Sequence, residues 1–102
     1  MSKPKIIWSN QAKESLLKIY NFFFYEKKTP LGAKNVLNDL LDAPKSINFR
    51  NQYQVDDINP NFRRIVVRNY KILYKVEREK IIIIDIFSVY QSPQILKKIK
   101  EE

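Results

Sequence analysis

Hydrophobic positions in the first half of the chain recur at helical spacing, and in the second half they shift to the spacing of strands. Ile6-Ile7-Trp8 is a short apolar run that stops at Ser9, whose hydroxyl is suited to accept from the free amides of a helix starting directly after it. From there Ala12, Leu16, Ile19, Tyr20 and Phe23 recur at i, i+3 and i+4, with Leu17 and Phe24 widening the stripe. The pattern predicts an amphipathic helix whose apolar face is broad enough to meet more than one element. Thr29-Pro30 supplies an N-cap and a proline at the first helical position, and Ala33, Val36, Leu37, Leu40 and Leu41 carry a second helix as far as Pro44. The first half therefore reads as a strand followed by a helical hairpin.

From Ile47 to Asn61 the chain is polar, with Asp56-Asp57 and Asn59-Pro60-Asn61 as turn formers and Gln52–Val55 between them as a short edge strand. Three β-branched runs follow: Phe62–Val67, Tyr70–Val76 and Lys80–Phe87. Arg68-Asn69 and Glu77-Arg78-Glu79 are tight connections between them, which predicts an antiparallel meander. The continuous run Ile81–Ile84, with Ile86 and Phe87, predicts a central strand covered on both faces. Asp85 interrupts it and is expected to pair with a neighbouring Lys or Arg. After Pro93, Gln94–Lys100 has the makings of one or two helical turns. No repeat or linker divides the chain. The expected fold class is α+β over residues 1–102: a short N-terminal strand, a helical hairpin, then an antiparallel β-meander sheet on which the helices pack.

Composition narrows the chemistry. The 102 residues include no cysteine and no histidine, which argues against disulfides, thiolate chemistry, a metal centre and imidazole acid–base catalysis. No cofactor is implied, and any chemistry falls to Arg, Lys, Tyr, Asp or Glu. The apolar run after Met1-Ser-Lys-Pro-Lys5 is too short for a secretory signal, and no stretch approaches the roughly 20 apolar residues of a membrane span. A cytoplasmic protein without a membrane partner is expected. The formal net charge of +8 favours a polyanionic partner, either nucleic acid or an acidic protein segment.

Strand alternation sends Phe62, Arg64, Val66 and Arg68 to one face and Arg63, Ile65 and Val67 to the other. Helices cover only one face of a small sheet. The opposite face would present some of these arginines with Lys71, Lys75 or Tyr74, a basic surface with aromatics beside it. Such a surface suits phosphate contact and base stacking, suits docking of an acidic partner, and is also compatible with plain solvation.

In order and spacing the chain resembles the RelE/ParE superfamily of toxins from bacterial type II toxin–antitoxin modules. The resemblance rests on Ile7-Trp8-Ser9 with Ala12 and Leu16, Arg63-Arg64 leading into Val66-Val67, Asn69–Val76, and Ile86-Phe87 followed by Gln91-Ser92-Pro93. It implies a small basic toxin neutralised by a cognate antitoxin whose partly disordered segment folds on binding.

The superfamily divides by target. RelE-like members cut messenger RNA on the ribosome with a basic cluster and often a tyrosine, and the matching positions here are Arg64, Lys71 and Tyr90. Val66 stands where such ribonucleases tend to carry a second basic residue, and Ser88–Gln91 lacks their late arginine or histidine. ParE-like members instead block DNA gyrase by protein contact, and Arg-Arg-Ile-Val-Val with the late Gln-Ser-Pro resembles them more closely. On either reading Arg63, Arg68 and Gln91 are target or phosphate contacts. The expected partners are the antitoxin and either DNA gyrase or the ribosome with its mRNA; a degenerate, non-toxic antitoxin-binding module is the third alternative.

Overall fold

The computed structural model describes residues 4–90. Their order is β1 (Lys5–Trp8), α1 (Asn10–Asn21), α2 (Pro30–Asp42), β2 (Arg63–Val67), β3 (Tyr70–Glu77) and β4 (Lys80–Ser88). The expected helical turns at Gln94–Lys100 lie outside the described residues, as does Gln91. No described helix is long and apolar enough to cross a membrane.

β2, β3 and β4 form the expected antiparallel meander, but β1 joins it parallel to β4, so the sheet is mixed, in the order β1-β4-β3-β2. A parallel partner needs a long crossover, and the helical hairpin supplies it. β4 is thereby the central strand that its isoleucine run predicts. The expected edge strand at Gln52–Val55 contracts to one bridge, Val55 to Arg63, because the chain turns away at Asp56.

Ser9 caps α1 by accepting from the Ala12 amide at 3.1 Å and donates to the Ile84 carbonyl at 2.8 Å, so one hydroxyl starts the helix and ties it to β4. Thr29 caps α2 by accepting from the Gly32 amide at 3.0 Å. A Cβ on Gly32 would lie 2.6 Å from Thr29 Oγ1, so glycine is what lets the cap close. Between the helices, Phe22–Glu26 forms a π-helical turn closed by the Lys27 amide on the Phe22 carbonyl, and Lys28, at φ 53°, ends it in the left-handed region. Beyond Pro44 the chain continues only as a short 3-10 turn, Ala43–Ser46.

The main core lies between sheet and helices and includes Ala12, Leu16, Val36, Leu40, Ile65, Ile72, Tyr74, Ile81, Ile83 and Ile86. Phe62, Leu73, Ile84 and Phe87 form a second cluster on the far face, with Ile58 packed against it. The two clusters together cover β4 on both sides, as expected. One extra residue in β4, between the pairs Leu73–Asp85 and Tyr74–Ile83, makes a bulge at Ile84. The breadth of the α1 stripe is not all used in packing, since Leu17 is 60% exposed; in the turn that follows, Phe22 and Tyr25 are exposed as well.

Candidate functional site

Lys71 belongs to β3, and its alternation with Ile72 sends it to the far face of the sheet. There it does not meet solvent. The segment after Val55 turns across this face, and Asp56, 1% exposed, reaches Lys71 Nζ at 2.8 Å. Lys71 itself is 7% exposed. The other Asp56 oxygen accepts from the amides of Ile58 at 3.2 Å and Asn59 at 2.8 Å, so the carboxylate that pairs the lysine also sets the turn above it. Burial works against the Asp56 charge, but the Lys71 hydrogen bond, the Asn59 and Ile58 amides and the Lys71 charge outweigh it and hold the carboxyl below its ordinary value.

Arg64 approaches the same carboxylate at 3.4 Å and Asp57 at 3.6 Å, and donates to the Gln54 side chain at 3.1 Å. Arg64 and Lys71 are thus brought together, around an aspartate that the sequence marked only as a turn former. Tyr90 stands beyond the end of β4, 79% exposed. Arg63 turns to the helix side and donates to the Tyr53 carbonyl at 2.7 Å and to Asn51 Oδ1 at 2.8 Å. Arg68, in the β2–β3 turn at the opposite end of β2, pairs with Asp39 of α2 at 2.7 Å.

Two expectations need correction. The far face is not an open basic surface: the 56–62 segment and its apolar cluster cover it, Lys71 is paired beneath, and Tyr74 points to the helix-side core. Val66 is the exposed apolar residue on the uncovered part of that face. Asp85, in turn, has no cationic partner among the described residues. It accepts from Gln11 Nε2 at 2.6 Å, Ser15 Oγ at 2.5 Å and the Ile86 amide at 2.7 Å, which fastens α1 to β4 with neutral donors. The bulge at Ile84 accounts for this by turning the carboxylate toward the helix. A cleft of about 740 Å³ opens beside it, lined among others by Glu14, Lys18, Tyr70 and Ser88. Burial pushes the Tyr70 hydroxyl above its ordinary value.

A family profile described as the ParE toxin of the type II toxin-antitoxin system, parDE, matches residues 6–100. The chain belongs to this ParE toxin family. The match spans both helices and all but the first residue of the sheet. Among solved structures, the chromosomal ParDE TA system from P. aeruginosa is similar at TM-score 0.69 and 16% identity, covering 83% of this chain and 95% of that one. At that identity the likeness shows the fold alone. No curated protein matches the chain in sequence. In this ParE-family toxin of a type II system the most buried ionic contact among the described residues involves Lys71, the residue that the resemblance marked as a candidate catalytic cation.

Tyr74 adds a pH-dependent feature to this fold. Its side chain is wholly buried, its hydroxyl has no hydrogen-bond partner among the described residues, and burial pushes it up to about 12 against the smaller downward pull of Arg63. The folded protein thus holds this proton more tightly than the unfolded chain does. Stability is fully present below pH 10 and is expected to fall as pH rises from 10 toward 12, by on the order of 2 to 3 kcal/mol. Urea unfolding across that range measures the loss, and Tyr74→Phe should reduce it while leaving stability at pH 7 equal or higher, because it removes an unsatisfied buried hydroxyl.

Proposed function

We propose that the protein arrests bacterial growth by binding and blocking DNA gyrase, without cutting RNA, and that a cognate antitoxin neutralises it. The burial of Lys71 against Asp56 carries this reading. A ribonuclease of the RelE kind needs cations free to approach a scissile phosphate, and here one of the three candidates is consumed in a structural ion pair beneath a covering segment. Arg64 is committed to the same carboxylate, and Val66 offers an apolar contact where a second cation would serve cleavage. Surface contact with a protein target requires no such freed cluster.

The antitoxin reading has its own support. Leu17, Phe22, Tyr25 and Leu31 are exposed on α1, at the start of α2 and in the turn that joins them, a stretch that also carries Lys13, Lys27, Lys28 and Lys34. Apolar residues interspersed with lysines suit an acidic amphipathic segment, which would bury the first and pair with the second. The solved relative is itself described as a ParDE toxin–antitoxin system.

The deciding experiment adds purified protein to gyrase and, separately, to a coupled translation reaction. Loss of supercoiling with translation unchanged is the expected result. Normal supercoiling at a large molar excess of folded protein, or prompt mRNA cleavage, would overturn the proposal. Tyr90→Phe is the companion variant: its exposed position leaves folding intact, growth arrest should persist, and loss of arrest would favour the ribonuclease.

A further inference from the structure

At the corner of the sheet opposite the β2–β3 turn, β3 runs past the start of β2. Arg63 pairs with Tyr74, but Lys75, Val76 and Glu77 pair only with β4 among the described strands. One bond fixes the direction of the backbone groups there. The Arg64 amide donates away from β3, to the Gln54 carbonyl at 3.0 Å, so by the alternation of an antiparallel ladder Arg63 turns its amide and carbonyl inward to Tyr74. Two residues on, Val76 turns its own amide and carbonyl the same way, past the end of β2. No backbone group of another segment among the described residues meets them there. Val76 instead lines two adjoining hollows: a recess of about 190 Å³, with Arg50, Asn61, Arg63 and Lys75 among its other walls, and a cleft of about 540 Å³ shared with Arg50, Glu77, Arg78 and Lys80. Glu77 is the only carboxylate in either lining, and Lys75 holds it at 3.2 Å. Arg50, Arg78 and Lys80 are exposed and make no ion pair among the described residues.

We propose that this open edge of β3 takes an extended, carboxylate-bearing segment of a partner protein, added to the sheet as a short strand in line with β2. The residue opposite Val76 donates to its carbonyl and accepts from its amide, and flanking carboxylates meet Arg50, Arg63, Arg78 and Lys80. The main-chain bonds set the register, and the cations select an acidic sequence. A peptide fits this edge better than a nucleic-acid backbone does, because Val76 offers a donor and an acceptor side by side. A peptide residue answers both, whereas a phosphate diester only accepts. A second copy of this chain fits worse, since each copy has a net charge of +8 and would set like charges against one another. Arg63 is held by the Tyr53 carbonyl at 2.7 Å and by Asn51 at 2.8 Å, so its guanidinium is oriented before any partner arrives. The corner shares no residue with the exposed apolar positions of the helical hairpin, and the proposal stands whichever target the toxin blocks.

The test is an NMR titration of the full chain with a short end-blocked peptide of alternating glutamate and valine. Saturable shifts centred on Val76 are expected, together with slower exchange of its amide proton as that proton gains an acceptor. A counterpart peptide N-methylated along its whole backbone keeps every charge and side chain but cannot donate, and should bind at least about tenfold more weakly. Arg50→Glu should weaken the unmodified peptide by about tenfold as well, and the exposed position leaves folding intact. Val76→Pro removes the outward amide without touching a bond to β4, as an edge position allows, and should abolish the shifts. Arg50→Glu and the methylated peptide test the proposal even if the proline variant does not fold. Absence of saturable shifts at Val76 overturns it. Equal affinity for the two peptides also overturns it, because the attraction would then be charge alone. A short oligonucleotide that shifts Val76 at lower concentration than the peptide does so too, and would make the corner a nucleic-acid contact.

Discussion

Replacing Asp56 with alanine is expected to destabilise the protein by about 3 to 5 kcal/mol, because it leaves Lys71 buried without a counter-charge. A domain of this size has roughly 5 to 15 kcal/mol in all, so the variant should be partly unfolded at growth temperature. The loss has two physical parts: an ion pair at 2.8 Å beneath the surface, and the turn set by the amides of Ile58 and Asn59 on the same carboxylate. Lys71→Met should cost less than Asp56→Ala, since Arg64 and the two amides still hold Asp56. Combining Asp56→Ala with Lys71→Met should recover part of the loss, and urea midpoints of the single and double variants measure that coupling. The same carboxylate sets an acid limit. Its folded pKa lies below the ordinary 3.8, so its contribution is complete above pH 3.8 and is lost as pH falls through the lower, folded value.

Legibility in the sequence followed the range of the interactions. Ser9 and Thr29-Pro30 mark their helix starts because a cap acts within three residues, and both hydroxyls accept where their positions predict. The Ile81–Ile84 run reads as a doubly covered strand because alternation is a local property, and the two clusters on β4 bear it out. The parallel docking of β1 on β4 joins Lys5 to Lys80, and no periodicity within either run specifies that pairing. The π-helical turn at Phe22–Glu26 depends on a change of hydrogen-bond register that a 3.6-residue pattern does not encode. Asp56-Asp57 was readable as a turn, and Asp56 does set one. Its burial was hidden, since it depends on which face Lys71 takes fifteen residues later. Arg64 and Lys71 were named from the family resemblance, and what puts both on the far face, the β2–β3 register that opposes Arg64 to Leu73, is a pairing between strands that neither run encodes alone.

Phe62→Ala is expected to cost about 3 to 5 kcal/mol, as for a large aromatic removed from a core, although the residue stands on the side of the sheet away from the helices. Its ring packs with Leu73, Ile84 and Phe87, and its backbone is joined to the covering segment at both ends: its amide donates to the Asn59 carbonyl at 3.0 Å, and its carbonyl accepts from the Asp56 amide at 2.9 Å. Losing the ring therefore loosens the segment that shields Lys71. Amide hydrogen exchange should speed up first around Asp56–Arg64, ahead of α1 and β1, and thermal unfolding should shift down by roughly 4 to 8 °C per kcal/mol. Leu17→Ala is the control. Leu17 is as apolar as many core residues, yet exposed, and should change stability by no more than about 0.5 kcal/mol. Equal and small effects at the two sites would mean that the far face is merely overlaid by the segment. A large effect at Phe62 alone would establish that face as a second core. The covering segment would then be part of the folded unit, and uncovering Lys71 for catalysis would carry the cost of opening that core.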